Sequence, residues 1–210
     1  MSHRFAELAF TPTVKKVQEQ QGSRASYARL EDFDEPMNHE LSEAEAGFIA
    51  GRESFYMATV GETGWPYIQH RGGPAGFVRV LDANTIGFAD FRGNRQYVSV
   101  GNLANNDRVS LFFMDYPNRT RLKLLGRARL VGLDDRATLA RLEMPEYRAR
   151  IERGFVITVE AFDWNCPQHI TPHFTLDDVR AMTAPMTARI AELEAALARL
   201  EGNQRTDQPG

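Results

Sequence analysis

Cysteine occurs once in the 210 residues, at Cys166, so an intrachain disulfide is excluded. No apolar run approaches the ~20 residues needed to cross a bilayer. The opening Met-Ser-His-Arg-Phe-Ala-Glu lacks the apolar core of a secretory signal. Charge of one sign is not in excess: 25 Lys and Arg stand against 28 Asp and Glu, a net charge of −3, which argues against bulk affinity for nucleic acid. Internal repeats, low-complexity tracts and a Gly-x-Gly-x-x-Gly dinucleotide fingerprint are missing as well. The expectation is a globular protein of the cytoplasm, without membrane or nucleic-acid partners, whose length fits one domain with extensions.

What is present is a series of short strand-like segments between two helical ends. Residues 1–51 read as a helical extension, with short helices over about 12–20 and 24–31 and a turn-prone Asp34-Glu35-Pro36. A capping box, Ser42-Glu-Ala-Glu45, starts a further helix that ends near Gly51. Strands are expected over 55–60, 65–71, 77–81, 85–90, 109–115, 121–131 and 155–162. Helices are expected over 94–104 and from an Asp134 N-cap to 143, and the Arg/Glu-rich stretch 135–153 reads as a solvated helical face. Phe77, Phe88, Phe112 and Phe113 are read as core. Helical segments do not separate successive strands, so a parallel βαβ layout is not the expectation. The fold class is mainly β, an antiparallel barrel with attached helices.

The stretch Gly87-Phe-Ala-Asp-Phe-Arg-Gly-Asn-Arg-Gln96 reads as a strand running into a Gly-containing loop and then a helix start at Asn94-Arg95-Gln96. The first N–H groups of a helix lack internal partners and carry partial positive charge, so such a terminus suits an anion. Arg92 and Arg95 add guanidinium groups matched to phosphate. A phosphorylated ligand is the expectation.

The strand order, together with Gly64-Trp-Pro-Tyr67, Gln69-His-Arg-Gly-Gly73, Phe91-Arg-Gly-Asn-Arg-Gln96, Val109-Ser-Leu-Phe-Phe-Met-Asp115, Leu125-Gly-Arg-Ala-Arg-Leu130 and Trp164-Asn-Cys-Pro-Gln-His169, resembles the pyridoxamine 5′-phosphate oxidase family, in particular its uncharacterised FMN-binding members. The resemblance implies an antiparallel FMN-binding split barrel of Greek-key type over 52–162. A pocket-covering segment over 163–184 and a C-terminal amphipathic helix over 185–202 would follow it. It implies a homodimer with FMN at the subunit interface. The family's phosphate-binding triplet, usually Ser-Arg-Lys, matches Asn94-Arg95-Gln96. Arg95 would then hold the phosphate, and Arg92 or Arg71 would supply the charge that Gln96 lacks. Phe88, Ala89 and Asp90 would give main-chain and ribityl contacts. Gln69, His70, Arg71 and Gly72 would lie along the flavin ring, and Arg121 would reach the flavin or phosphate. His70 alternates with its neighbours and faces either core or cofactor.

On the substrate side, Trp164, Asn165, Gln168 and His169 are expected to line a small-molecule pocket, with core packing the alternative for Trp164. The family's substrate-closing arginine pattern is absent, so pyridoxamine 5′-phosphate is not the expected substrate. The implied activity is an FMN-dependent oxidoreductase acting through flavin N5, with NAD(P)H a candidate donor that would dock transiently. A carrier or sensor without turnover is the alternative, followed by a deazaflavin- or haem-binding barrel. Cys166, His169 and His173 have metal-like spacing, but Pro167 and Pro172 prevent a regular helix and no fourth ligand adjoins, so no metal is expected.

In the tail, Met186, Ile190, Leu193, Leu197 and Leu200 form one helical seam, with Pro185 as its start and Gly202 as its end. The helix either docks on its own domain or pairs as a short coil with a second copy.

Overall fold

The computed structural model describes residues 3–31, 37–164 and 166–206, with the side chains of the last helix described to residue 199. Asp34, Glu35, Pro36 and Asn165 lie outside the described residues. One compact unit takes in the residues before 116 together with 119–169. A second holds 116–118 and the residues from 170 onward.

The first unit opens with α1 (Arg4–Ala9), α2 (Pro12–Gln20), α3 (Arg24–Ala28) and a 3₁₀ turn, Arg29–Glu31. α1 is an addition to the sequence reading. α4 (Glu43–Ala50) starts at the expected capping box, in which Ser42 and Glu45 satisfy each other's backbone N–H groups. Seven strands follow: β1 (Ser54–Val60), β2 (Pro66–Gly72), β3 (Val78–Asp82), β4 (Thr85–Phe91), β5 (Arg108–Asp115), β6 (Thr120–Val131) and β7 (Ile151–Trp164). Between them lie α5 (Val98–Leu103) and α6 (Arg136–Leu142). All neighbouring strands are antiparallel, in the order β2-β1-β5-β6-β7-β4-β3. Within it, β5, β6 and β7 form a meander and β4 lies beside β7, which is a Greek-key arrangement.

Three sequence expectations are corrected here. α6 is capped by Asp135, whose carboxylate accepts from the Thr138 N–H at 3.0 Å, rather than by Asp134. Residues 151–153 are the start of β7, where Arg153 pairs with Asp90, and not part of a helical face. Phe112 pairs with Tyr56 on the opposite face from fully buried Phe113, because successive strand residues point to opposite sides.

Apolar side chains on one face of each strand form the core. Phe55 stacks on Phe113 at 4.9 Å, Phe88 on Phe155 at 4.9 Å, and Phe55 meets Phe88 edge-on at 5.3 Å. The last contact joins β1 to β4, which are not neighbours, so the sheet curls. The closure shows best at β2 and β4. In a flat sheet these strands would stand five spacings, ~24 Å, apart, yet Arg71 Nη1 lies 2.6 Å from Asp90 Oδ1. From Arg71 the register runs through Phe55, Phe113 and Leu122 to Trp164. Asp90, however, pairs with Arg153, eleven residues earlier on β7. Such a stagger is what closing a tilted sheet requires. Outside the barrel, α6 packs Leu139 and Leu142 on Ala89, Val131 and Val156. The approach is close at Gly87, where a Cβ would stand 2.7 Å from Leu142 Cδ2 and 2.9 Å from the Phe155 carbonyl oxygen.

The second unit contains α7, Leu176–Thr206, which is longer than the expected tail helix. It starts at a reciprocal cap rather than at Pro185: Thr175 Oγ1 accepts from the Asp178 N–H at 3.1 Å, and Asp178 Oδ2 accepts from the Thr175 N–H at 2.8 Å. Pro185 lies inside the helix, and Gly202 does not end it. No helix among the described residues is long and apolar enough to cross a membrane.

Candidate functional site

The split between β2 and β4 forms a cleft of about 200 Å³, lined by Gln69, Arg71, Asp90, Asn94, Arg95 and Glu152 together with the loop from Phe91 into α5. Five of the sequence candidates therefore meet in one place.

The strand period decides which β2 side chains reach it. Gln69 and Arg71 face the split, while His70 points the other way, exposed and edge-on to Tyr56 at 5.6 Å. Gln69 Oε1 accepts from Ser99 Oγ of α5 at 3.0 Å. Arg71 is nearly buried. One guanidinium nitrogen bonds Asp90, the group lies 4.9 Å from the Phe155 ring centre, and Nε is buried without a hydrogen-bond partner. Burial lowers the pKa of Arg71 from its ordinary value despite Asp90, and burial likewise raises the Asp90 carboxyl despite its two arginine neighbours.

The second neighbour is Arg153, whose Nε lies 3.3 Å from Asp90 Oδ2. From there a polar chain leads to the surface. Arg153 Nη2 donates to Glu152 Oε2 at 3.1 Å, and Glu152 Oε1 accepts from Tyr97 OH at 3.3 Å. The same Glu152 oxygen lies 3.7 Å from Arg92 Nε. Arg95 Nε then donates to Tyr97 OH at 3.2 Å, a bond that holds the guanidinium above its ordinary pKa.

The expected helix start at Asn94 is overturned. α5 begins at Val98 and has only six residues. Arg95 and Tyr97 have φ of 64° and 56°, in the left-handed region, so the chain cannot be helical there. Asn94 instead folds its side chain back, Oδ1 accepting from the Gln96 N–H at 3.2 Å. Non-glycine residues held in this region cost of order 1–3 kcal/mol each and concentrate at ligand clamps. The loop thus presents Arg95 by backbone conformation, without a helix dipole.

Other candidates are placed elsewhere. Phe88 and Ala89 are buried with their side chains in the core and in the α6 contact. Past Phe88, no described strand pairs with β4 on its β3 side, so main chain is what this segment offers a ligand. Gly72 ends β2 and Gln96 is exposed in the loop. Arg121 lies on β6 opposite Met114 and does not line the cleft of its own chain. Trp164 donates from Nε1 to Glu45 Oε1 at 2.8 Å and packs edge-on to Phe48 at 4.7 Å. It lines a separate cleft of about 390 Å³ with Phe5, Phe10, Tyr27, Lys123 and Asp163. Gln168 and His169 are exposed, His169 with φ of 61°. Among the described residues no three His, Cys, Asp or Glu side chains are grouped to hold a metal.

Sequence reasoning missed Tyr97, Ser99, Glu152 and Arg153. Extending the alternation of β7 back through Gly154 would have found the last two.

No curated protein matches the chain. A crystal structure of HupZ from Group A Streptococcus is similar at 16% identity over 64% of this chain and 99% of that one, with a TM-score of 0.49. A putative pyridoxamine 5′-phosphate oxidase from Lactobacillus delbrueckii is similar at 20% identity over 60% and 96%, with a TM-score of 0.46. A protein from Clostridium acetobutylicum related to general stress protein 26 is similar at 19% over 63% and 92%, with a TM-score of 0.42. The family model described as pyridoxamine 5′-phosphate oxidase matches residues 41–164, which contain the whole barrel and both walls of the cleft, and the chain belongs to this family.

Proposed function

We propose that the protein is an FMN-binding oxidoreductase whose flavin phosphate is held at the mouth of the β2–β4 cleft. The observation that carries this reading is the convergence of Arg71, Asn94 and Arg95 on one polar cleft. Asp90 and Glu152 pair with Arg71, Arg92 and Arg153, an excess of one positive charge, while Arg95 bonds the Tyr97 hydroxyl. The donor set fits an anionic, polar cofactor. Arg95 and the Asn94 side chain would hold the phosphate, the buried Nε of Arg71 is a donor awaiting an acceptor, and main chain at Ala89–Asp90 would meet the ribityl hydroxyls. FMN would supply hydride or electron transfer at its N5. Gln69, fixed by Ser99, would orient the ring edge, and the Phe155 and Phe88 side keeps water away from Arg71.

At about 200 Å³ the cleft is smaller than the ~300–1,000 Å³ of ordinary ligand sites. A second copy would complete it. The outer face of β1 and β2 supports this, since Tyr56, Val60 and Ile68 are exposed there, with Trp65 of the turn that joins the two strands 78% exposed beside them. Arg121 and Trp164, remote from the cleft of their own chain, would act on the partner's. The substrate, which would give electrons to the flavin or take them from it, would be a small molecule other than pyridoxamine 5′-phosphate.

The purified protein should be yellow or turn yellow on adding FMN, and a protein that takes up no FMN overturns the reading. Arg95→Ala should weaken FMN about tenfold to a hundredfold by titration calorimetry, as for a lost charge-assisted hydrogen bond. Reduction by NADH or NADPH followed by transfer to an acceptor separates an oxidoreductase from a carrier.

A further inference from the structure

α7 presents an apolar stripe that no described residue of its own unit covers. Leu176, Val179, Met186, Ile190, Leu193 and Leu197 are between 45% and 75% exposed. Their spacings of three, seven, four, three and four residues fall into one heptad register. Leu176, Thr183, Ile190 and Leu197 take the a positions, and Val179, Met186 and Leu193 take the d positions. Because the helix starts at Leu176 rather than at Pro185, the stripe spans about three heptads, the length at which a coiled coil is a sound reading. Pro185 falls at a c position, so its ring stays out of the seam, and the hydrogen bond it lacks and the bend it imposes fall between the Thr183 and Met186 layers. Outward b and f positions are mostly alanine: 181, 184, 188, 191, 195 and 198.

We infer that α7 forms a parallel, in-register two-stranded coiled coil with α7 of a second copy of this chain. Three observations fix that occupant. At the centre of the seam Ile190 at a with Leu193 at d is the branched pattern that favours two strands, although Leu176 at a with Val179 at d reverses it at the first turn. Thr183, the single polar residue at a described a position, is half-buried and turns its hydroxyl onto its own Val179 carbonyl at 2.9 Å, so it can enter a seam without a lost bond. The flanking charges suit the parallel orientation. Arg189 is at g and Glu194, five residues on, is at e, and g meets the partner's e at that offset in a parallel pair. The dimer axis makes the attraction occur twice. At present Arg189 bonds Glu192 of its own helix at 2.8 Å, a c residue on the rim, and can exchange it for the seam partner. This coil is independent of the flavin reading, since none of its residues lines the cleft.

The test is site-directed cross-linking of the full chain in a Cys166→Ser background. Leu193→Cys and Met186→Cys, at d positions, should each form an interchain disulfide rapidly under mild oxidation, while Glu192→Cys on the outer side should link at least tenfold more slowly. Circular dichroism of each variant checks that the chain remains folded. Absence of linkage at both d positions, or equal linkage at Glu192, overturns the proposal. Charge exchange gives a second readout in the Leu193→Cys background. Arg189→Glu should slow linkage roughly tenfold, from two repulsive pairs, and adding Glu194→Arg should restore it. A rate unchanged by Arg189→Glu, or not restored by the second change, overturns the parallel register.

Discussion

Removing Arg71 tests whether an ion pair closes this barrel. Arg71 and Asp90 have side chains only 11% and 9% exposed, joined at 2.6 Å across the split. Truncating one partner of such a pair strands the other, which costs about 3–5 kcal/mol when nothing replaces it. Here Arg153 remains 3.3 Å from the other Asp90 oxygen, which lowers the charge penalty, while the guanidinium packing over Phe155 is lost as well. The expected cost of Arg71→Ala is therefore about 2–4 kcal/mol, read as a lower urea midpoint at unchanged slope. Arg71→Met, which keeps most of the packing, separates charge from contact. A double-mutant cycle with Asp90→Ala should show coupling above ~1 kcal/mol. A cost below ~0.5 kcal/mol, or additive single changes, would refute the ionic closure.

The sign of the pH dependence follows from the same burial. Asp90 is raised above its unfolded value, so the native state holds that proton to higher pH and the unfolded state binds fewer protons. Its contribution to stability is fully present below the ordinary aspartate range, is lost as pH rises through the window up to its raised value, and is constant above. Without Arg71 the carboxyl rises further. The penalty of Arg71→Ala should thus shrink as pH falls from neutrality toward the ordinary aspartate range, because a protonated Asp90 needs no counter-ion. A penalty that grows on acidification contradicts this assignment.

Two further predictions concern packing and capping. Gly126→Ala places a Cβ 2.5 Å from the Thr158 carbonyl oxygen and 2.8 Å from Ile157 Cγ2 at the β6–β7 bulge, so it should cost about 1–3 kcal/mol in urea unfolding. Glu45→Ala should exceed Ser42→Ala, about 1 kcal/mol for a lost cap, because it also leaves Trp164 Nε1 without its acceptor. A red shift of tryptophan emission in Glu45→Ala alone is the accompanying signal.

The strands were legible because their alternation is strong and their turns carry Gly, Asn and Asp; the capping box at Ser42 was legible for the same local reason. The two walls of the cleft were half legible. Gln69 and Arg71 follow from the period of β2, and Arg95 from its loop. What local reasoning could not supply is the closure, since no spacing along the chain says that residue 71 meets residue 90 across five strand positions. Arg153 and Glu152 were lost because charge density outweighed a strand signal split by Gly154. The false helix start at Asn94 arose because left-handed backbone at Arg95 and Tyr97 has no sequence mark when the residue is not glycine. In the tail, Pro185 fits the usual rule for a helix start, whereas the Thr175–Asp178 cap begins the helix at Leu176, nine residues upstream.

Because the residues that close the barrel also line the cleft, binding of a ligand there would share one equilibrium with closure. Arg71 carries the tie to Asp90 and keeps a buried Nε for an acceptor. Any ligand that bonds there binds the closed barrel better than an open one. FMN at 100 times its dissociation constant would add about 2.7 kcal/mol to stability, on the scale of the loss expected for Arg71→Ala. Opening of the split without global unfolding would expose β2, at one end of the sheet order, before β6 and β7 at its middle. Amide hydrogen exchange should therefore slow on FMN binding first at β2 and at the Phe91–Tyr97 loop, with little change at Leu122–Ala128. The protection at β2 should fall in Asp90→Asn even at saturating FMN. Uniform protection across the barrel, or protection of β2 that survives loss of Asp90, would mean that the ligand stabilises the fold without passing through the Arg71 tie.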